Sequence, residues 1–177
     1  MGKAIEGKQL YLRFLKYDDL DRTWEWLHRP DVYNKIGVKT PFSKEEQKKW
    51  YASLEKDKFK KVFAVCKKDN NIHIGNVSLD MIDIRHGNAR LSIFIADHNA
   101  RGKGYGSEAL QLLEKYAFDT LKLHKIWCKT DAGDEKVLNF YHNLRFIQEG
   151  RLKEHERKDG IFVDKVLFGK INSAETI

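Results

Sequence analysis

A glycine-rich segment between a predicted strand and a predicted helix constrains this chain more than any other feature. Residues 101–107 read Arg-Gly-Lys-Gly-Tyr-Gly-Ser, after the apolar run 91–96 and before an amphipathic stretch over 108–121. Glycines permit a tight turn of the backbone, and the N-terminal end of a helix stabilises negative charge. Together with the cations of Arg101 and Lys103, the segment predicts a site for a phosphate or pyrophosphate group.

Two common phosphate-binding patterns do not fit this segment. The P-loop pattern fails because no Gly-Lys-Ser/Thr follows at the required spacing. A dinucleotide-binding fold would use Asp131, after the predicted strand 126–130, as its ribose-binding acid. However, roughly 100 residues precede the glycine segment without alternating strands and helices. Asp131 is therefore interpreted as a loop residue.

A third phosphate-binding loop fits better. The pattern Arg101-x-x-Gly104-x-Gly106 resembles the R/Q-x-x-G-x-G/A signature of the GNAT superfamily, the acyl-CoA N-acyltransferases. Residues 133–146 resemble that family's N-x-x-x-x-x-x-Y-x-x-x-G-F helix. Four further segments are similar to the RimJ/RimL-like branch of the family: 10–14, 18–20, 149–152 and 159–164.

The pattern of apolar and turn residues predicts a mixed α/β (α+β) fold. Strands are expected over 9–16, 60–67, 72–84, 91–96 and 125–130, with two more closing the chain, and helices over 18–28, 43–56, 108–121 and 134–144. The resemblance implies a GNAT-like three-layer fold, a mixed and mostly antiparallel sheet of about seven strands with helices on both faces. It also implies that the strands at Leu91 and Lys125 splay apart to admit a cofactor. Residues 1–177 are expected to form a single N-acetyltransferase domain.

The resemblance implies acetyl-CoA as the donor of the acetyl group. Its pyrophosphate would lie on the backbone N–H groups of the glycine segment, and its pantetheine arm would pair with the edge of the preceding strand. The residues concerned are Arg101, Gly102, Lys103, Gly104, Tyr105, Gly106 and Ser107 in the loop, and Phe94, Ile95 and Ala96 in the strand. A bulge in that strand would aim one N–H at the thioester oxygen. No metal is expected, because no cluster of His and Cys residues accompanies the motifs.

Tyr141 matches the family tyrosine that protonates the leaving thiolate. The alternative is a core residue, because Tyr141 shares a helical stripe with Val137, Leu138 and Leu144. The family's helix-starting asparagine is Asp134 here, which can cap the helix but offers no amide donor to the cofactor.

The general base is less well marked. Asp80 and Asp83 are the candidates, with Asp80 preferred, and the alternative is that both are surface or turn carboxylates. His86 is interpreted as a turn residue.

The reaction implied is direct transfer of an acetyl group to a primary amine. The net charge of +7 favours an amino sugar, free or nucleotide-linked, over a polyamine, which would require an acidic pocket. A polyamine or a protein N-terminus is the alternative acceptor, and a non-catalytic acyl-CoA-binding module is the alternative class. Nucleic-acid binding is disfavoured, since the basic residues are interleaved with acids. The acceptor is expected to contact the loop 34–42, and Trp24 is expected in the core.

The remaining expectations concern location and cysteines. No apolar run approaches the length of a membrane span, and residues 1–6 lack the apolar core of a signal peptide, which predicts a cytoplasmic protein without a membrane partner. Cys66 and Cys128 lie in predicted strands and are expected to be buried thiols. A homodimer is left open.

Overall fold

A computed structural model describes residues 4–32, 43–97, 100, 102–158 and 160–173. Its strands form one eight-stranded sheet in the order β1-β2-β3-β4-β5-β6-β8-β7. The strands are β1 (Ile5–Glu6), β2 (Leu10–Phe14), β3 (Lys61–Lys67), β4 (His73–Asp83), β5 (Asn88–Ile95), β6 (Lys125–Asp131), β7 (Ile147–Lys158) and β8 (Ile161–Ile171). The helices are α1 (Leu20–Leu27), α2 (Lys44–Leu54), α3 (Tyr105–Lys115) and α4 (Glu135–Asn143), with a short 3-10 turn over Tyr17–Asp19 before α1.

The sheet is mixed and mostly antiparallel, as the sequence predicts. Only β5 and β6 pair in parallel, and the other neighbours pair antiparallel. The strand count exceeds the expected seven because the two-residue strand β1 pairs with Leu12 and Tyr11 of β2. A run this short carries no periodic signal, which is why the pattern does not reveal it.

Apolar residues cover both faces of the sheet. The larger core joins Phe63, Val65, Val77 and Leu79 of the sheet to α3 and α4. The smaller core joins Val62, Ala64 and Cys66 to Leu20 of α1 and to the Trp50, Tyr51 and Leu54 side chains of α2. The strands alternate between these two faces, as a sheet buried on both sides requires.

The buried face of helix α1 is not the face that the sequence predicts. Its buried residues are Leu20, Thr23, Trp26 and Leu27. The prediction that Trp24 lies in the core is therefore wrong, because Trp24 is half-buried and stacks on the His28 ring at 3.8 Å between centroids. Trp26 takes the inward position, where its ring edge meets His73 at 4.8 Å and Phe94 at 6.2 Å.

The helices α2 and α3 differ in how well the sequence predicts their starts. Ser43 and Glu46 form the expected capping box of α2. By contrast α3 begins at Tyr105, inside the glycine segment, and not at the predicted Glu108. The α-helix ends at Lys115 and continues as a π-helical turn over Tyr116–Thr120. The last residues of the predicted helix are thus helical with a wider turn.

The strands β5 and β6 separate soon after they meet. Their register joins Asn88 to Lys125, Ala89 to Ile126 and Arg90 to Trp127, and ends there. β5 continues to Ile95 and β6 to Asp131. The predicted splay between these two strands is confirmed, and it opens a cleft through the middle of the sheet.

Candidate active site

The glycine segment lies at the mouth of this cleft and forms the start of α3. Gly102 and Gly104 have φ values of 74° and 80°, in the left-handed region that favours glycine. Gly104 is the N-cap of α3, and the N–H of Glu108 donates to its carbonyl at 3.0 Å. The N–H groups of residues 105–107 therefore precede the first intrahelical bond and have no helical acceptor.

The space around these glycines suits a bulky anion. No described atom lies within 4 Å of the position that a Cβ would take at Gly102 or Gly104. Lys103 is exposed beside them, and Arg101 lies outside the described residues. The open loop, the helix start and Lys103 fit the pyrophosphate of acetyl-CoA.

The backbone of β5 alternates between its two neighbours. The N–H of Ala96 donates to the Ile74 carbonyl of β4 at 2.9 Å, so Phe94 and Ala96 direct their backbone groups to β4. Leu91, Ile93 and Ile95 direct theirs towards the cleft. Of the three residues predicted to pair with the pantetheine arm, only Ile95 thus presents its backbone on that side.

A bulge lies at the end of β5, where the N–H groups of Ala96 and Asp97 both donate to the Ile74 carbonyl, at 2.9 and 3.3 Å. Within β5 the register with β4 is continuous from Arg90 to Ile95, and a second irregularity lies in β4 between Asp80 and Asp83. Met81 adopts φ 51° at that point.

Tyr141 lies in the larger core, at the apex of the cleft. Its ring packs against Phe146 and Phe168, each 5.4 Å away between centroids. Its hydroxyl lies beside the thiol of Cys128, which is the first residue of β6 beyond the last pair with β5. Burial and the neighbouring Cys128 raise the pKa of the Tyr141 phenol well above 10, so it carries its proton at neutral pH.

A cavity of about 450 Å³ lies on the opposite face of the sheet, under α1 and α2. Its lining includes both polar or charged residues and apolar ones. The polar and charged residues are Thr23, Glu46, Lys60, Asn76, Ser78, Asp80 and Ser92, and the apolar ones are Leu27, Trp50, Val62, Val77 and Phe94. A cavity of this size and mixed lining suits a small polar molecule with an aliphatic part.

Asp80 is the best-placed carboxylate in this cavity. It is buried, accepts a hydrogen bond from Ser78 Oγ at 2.9 Å, and pairs with Lys60 Nζ at 2.8 Å. The alternative of a surface carboxylate therefore does not hold for Asp80. It does hold for Asp83, which binds the His86 side chain at 2.8 Å in the exposed turn after β4, and His86 is the turn residue that the sequence predicts.

A buried polar network contacts Asn76, one of the residues that line the cavity. Arg13 donates to both oxygens of Asp19 at 2.6 and 2.7 Å, and His73 Nδ1 lies 3.4 Å from the same carboxylate. His73 Nε2 lies 2.7 Å from Asn76 Oδ1. This arrangement fixes the side-chain amide of Asn76, so that its NH₂ end is directed away from the network.

The sequence analysis missed most of the residues that line the cavity. Asn76, Ser78 and Asp80 alternate with Val77 and Leu79 along β4. This polar stripe of period two, on a strand buried on both faces, is the signal that could have revealed the site. Thr23 had no such signal: its Oγ1 is buried at the cavity without a hydrogen-bond partner among the described residues.

Other residues singled out in the sequence have structural surroundings of their own. Asp134 is the N-cap of α4 and accepts from the Val137 N–H at 3.2 Å. The interpretation of Asp131 as a loop residue is wrong, because Asp131 is the last residue of β6, where it pairs with Lys158 at 2.8 Å and with Lys165. Cys66 and Cys128 are buried thiols, as predicted. The loop 34–42, where the acceptor is expected to bind, lies outside the described residues.

No group of three metal-ligating side chains comes together among the described residues. In the same part of the chain, no helix has the length and apolar character needed to cross a bilayer.

The splayed sheet, the glycine loop at the helix start and the tyrosine at the apex define an acyl-CoA-dependent transferase. The acetyltransferase (GNAT) domain model matches residues 9–147, and the chain belongs to that family. It is an N-acetyltransferase that uses acetyl-CoA as its cosubstrate.

Curated relatives cover nearly the whole chain. An uncharacterized N-acetyltransferase p20 of Bacillus licheniformis is 27% identical over 94% of both chains. The spermidine N(1)-acetyltransferase of Vibrio cholerae is 30% identical over 89% of this chain and 90% of its own. Human alpha/beta-tubulin-N-acetyltransferase 9 is 26% identical over 72% of this chain and 66% of its own.

Solved structures agree with these relatives. The spermidine N-acetyltransferase of Vibrio cholerae in complex with CoA and spermine has a TM-score of 0.88 at 26% identity, over 94% of this chain and 98% of that one. A dodecameric structure of that enzyme has a TM-score of 0.82 at 25% identity, over 96% and 98% of the two chains. The RimJ/RimL-like branch and self-association of this chain stay predictions.

Proposed function

We propose that this chain acetylates a primary amine of an aliphatic polyamine. The observation that carries the proposal is the cavity under α1 and α2, where carboxylates stand beside aromatic and aliphatic walls. Alkylammonium groups are stabilised by carboxylates and by aromatic faces, and the methylene segments of a polyamine suit the apolar wall. Similarity to a spermidine N(1)-acetyltransferase supports the same acceptor class.

This proposal replaces the amino sugar that the net charge of the chain favours. The charge of +7 is spread over the whole molecule, whereas the cavity lining holds Glu46 and Asp80 against Lys60. At short range in a partly buried site these nearby charges outweigh distant, screened ones. The lining residues by themselves therefore carry more negative than positive charge, which favours a polyamine, while Arg90 Nη2 lies 4.0 Å from Asp80 Oδ2.

The two candidate catalytic groups stand on opposite faces of the sheet. In our proposal Asp80, in the cavity, accepts a proton from the acceptor ammonium, and Tyr141, at the cleft apex, donates one to the leaving sulfur. The amine nitrogen bonds to the acetyl carbon as the carbon–sulfur bond breaks. The ammonium group loses two protons in total. One is balanced by the proton that the thiol product gains, and the other goes to solvent.

Direct transfer, without an acyl-enzyme, is supported by the state of the cysteines. Burial raises the pKa of the Cys66 thiol, and burial raises that of Cys128 to about 12. Both remain protonated at neutral pH, and a thiol is a much weaker nucleophile than a thiolate.

The test is an acceptor panel at a fixed, saturating concentration of acetyl-CoA. Spermidine, spermine, a free amino sugar, a nucleotide-linked amino sugar and a peptide with a free N-terminus are compared by thiol release and by mass spectrometry of the products. We expect the highest kcat/KM for a polyamine. A higher value for an amino sugar or for the peptide would overturn the acceptor class.

A further inference from the structure

The cavity already contains a primary alkylammonium group that belongs to the protein. Lys60 Nζ lies 2.8 Å from Asp80 Oδ1 and 5.7 Å from the centroid of the Trp50 ring. The Lys60 side chain is 30% exposed and that of Asp80 is 11% exposed. A lysine side chain ends in the same four-carbon aminoalkyl group as a simple aliphatic amine.

Lys60 is placed so that it can leave. It precedes the first residue of β3 and has no ion pair with a described residue other than the one with Asp80. The Lys60 end of this ion pair is partly exposed to solvent, which reduces the net stability that the pair contributes. An incoming ammonium could therefore displace Lys60 into solvent at small cost and take over both the carboxylate and the aromatic face.

We infer that Lys60 occupies the position of the acceptor ammonium in the free protein and thereby lowers the affinity of the cavity for amines. An acceptor must outcompete Lys60 for Asp80, which selects against amines that make no further contacts. An acceptor with a second cationic group gains from Glu46, which lines the same cavity. This inference rests on the proposed function, since it treats the cavity as the acceptor site.

The first test is kinetic. Lys60→Met keeps the aliphatic stem and removes the ammonium. We expect the KM for spermidine to fall about fivefold, the equivalent of about 1 kcal/mol, with kcat changed less than twofold. The matched control is Lys61→Met, which has the same effect on net charge, because Lys61 binds the Asp57 carbonyl at 3.2 Å and does not line the cavity. An unchanged or raised KM in Lys60→Met would overturn the inference.

The second test needs no turnover. Lys60→Ala leaves Asp80 and Trp50 facing an empty volume that n-butylamine should fill. We expect n-butylamine to bind Lys60→Ala in calorimetry at least fivefold more tightly than the unaltered protein or Lys61→Ala. Equal binding to all three would reject this role of Lys60, whichever amine the acceptor panel favours. If the panel selects another amine, the kinetic test uses that amine and the binding test is unchanged.

Discussion

At the scale of single residues, the position of Tyr141 reconciles two interpretations that the sequence leaves open. Tyr141 is a core residue by its packing on Phe146 and Phe168. Its hydroxyl nevertheless meets Cys128 at the point where the two central strands part. A phenol held at that apex among apolar rings stays protonated, as a proton donor must.

We predict that Tyr141→Phe lowers kcat by about 100-fold, the usual contribution of a general acid, and leaves acetyl-CoA affinity within twofold. Steady-state kinetics and calorimetric titration measure the two quantities. Tyr116→Phe is the control, because burial also raises the pKa of Tyr116 while its ring packs on Phe63, away from Cys128. If Tyr141→Phe retained full turnover, the phenol would not be the acid.

Asp19 gives a prediction about pH and stability. Burial alone would raise the pKa of its carboxyl, but hydrogen bonds from Arg13 and the Lys16 backbone, together with the neighbouring His73 ring, outweigh burial and lower that pKa well below 3.8. A lowered folded-state pKa contributes stability that is present above the unfolded value of about 4 and is lost as the pH falls below it.

We therefore expect Asp19→Asn to cost on the order of 3 kcal/mol at pH 7, because Arg13 loses its buried partner. The cost should shrink as the pH falls from about 4 to 2. Urea unfolding at several pH values measures it. A cost that stays constant over this pH range would show that the ion pair is not its origin.

At the scale of elements, the start of α3 depends on backbone geometry more than on contacts. Gly104 caps the helix at φ 80° with no described atom within 4 Å of a Cβ position. A side chain there would meet strain from the backbone and not from neighbouring protein atoms. The N–H groups of residues 105–107 depend on this cap for their direction.

We predict that Gly104→Val weakens acetyl-CoA binding at least tenfold by disturbing the first turn of α3 and by entering the space around the loop. Gly160→Val is the matched control. Gly160 has φ 86° and equally open surroundings, so it suffers similar strain, but it lies in the turn between β7 and β8. Both variants should lose stability, while only Gly104→Val should lose acetyl-CoA affinity. Equal acetyl-CoA affinities in calorimetry would contradict the role of this loop.

At the scale of the whole molecule, net charge is a poor guide to the acceptor. Glu45 and Glu46 are neighbours on α2, yet only Glu46 lines the cavity. Backbone and side-chain hydrogen bonds from Ser43 lower the pKa of Glu46, which keeps it charged at neutral pH. A Gln at this position preserves the capping box.

We expect Glu46→Gln to raise the KM for spermidine about fivefold and to weaken the dependence of KM on salt. Glu45→Gln changes the net charge equally and should leave KM within twofold. Kinetics at low and moderate ionic strength compare the two variants. Equal effects of both would mean that long-range charge, and not the cavity, governs acceptor binding.

The donor half of this protein is predictable from local patterns in its sequence. The glycine segment, the tyrosine helix, the capping box of α2 and the mixed sheet are local patterns of spacing and turn chemistry, and such patterns are legible along a chain. Sequence patterns did not predict the strand β1 or the start of α3 at Tyr105, three residues before the expected position. A left-handed cap and a two-residue strand produce no periodic pattern of apolar residues.

The proposed acceptor half depends on contacts that form only in the folded chain. The polar stripe of β4, Thr23 of α1, Glu46 of α2 and Lys60 before β3 are far apart along the chain and form one cavity through sheet register and helix packing. Electrostatic interactions depend on the distance between charges and on their burial. The composition of a chain contains neither quantity. For this reason the total charge favoured one acceptor class, while the charges assembled around the cavity favour another.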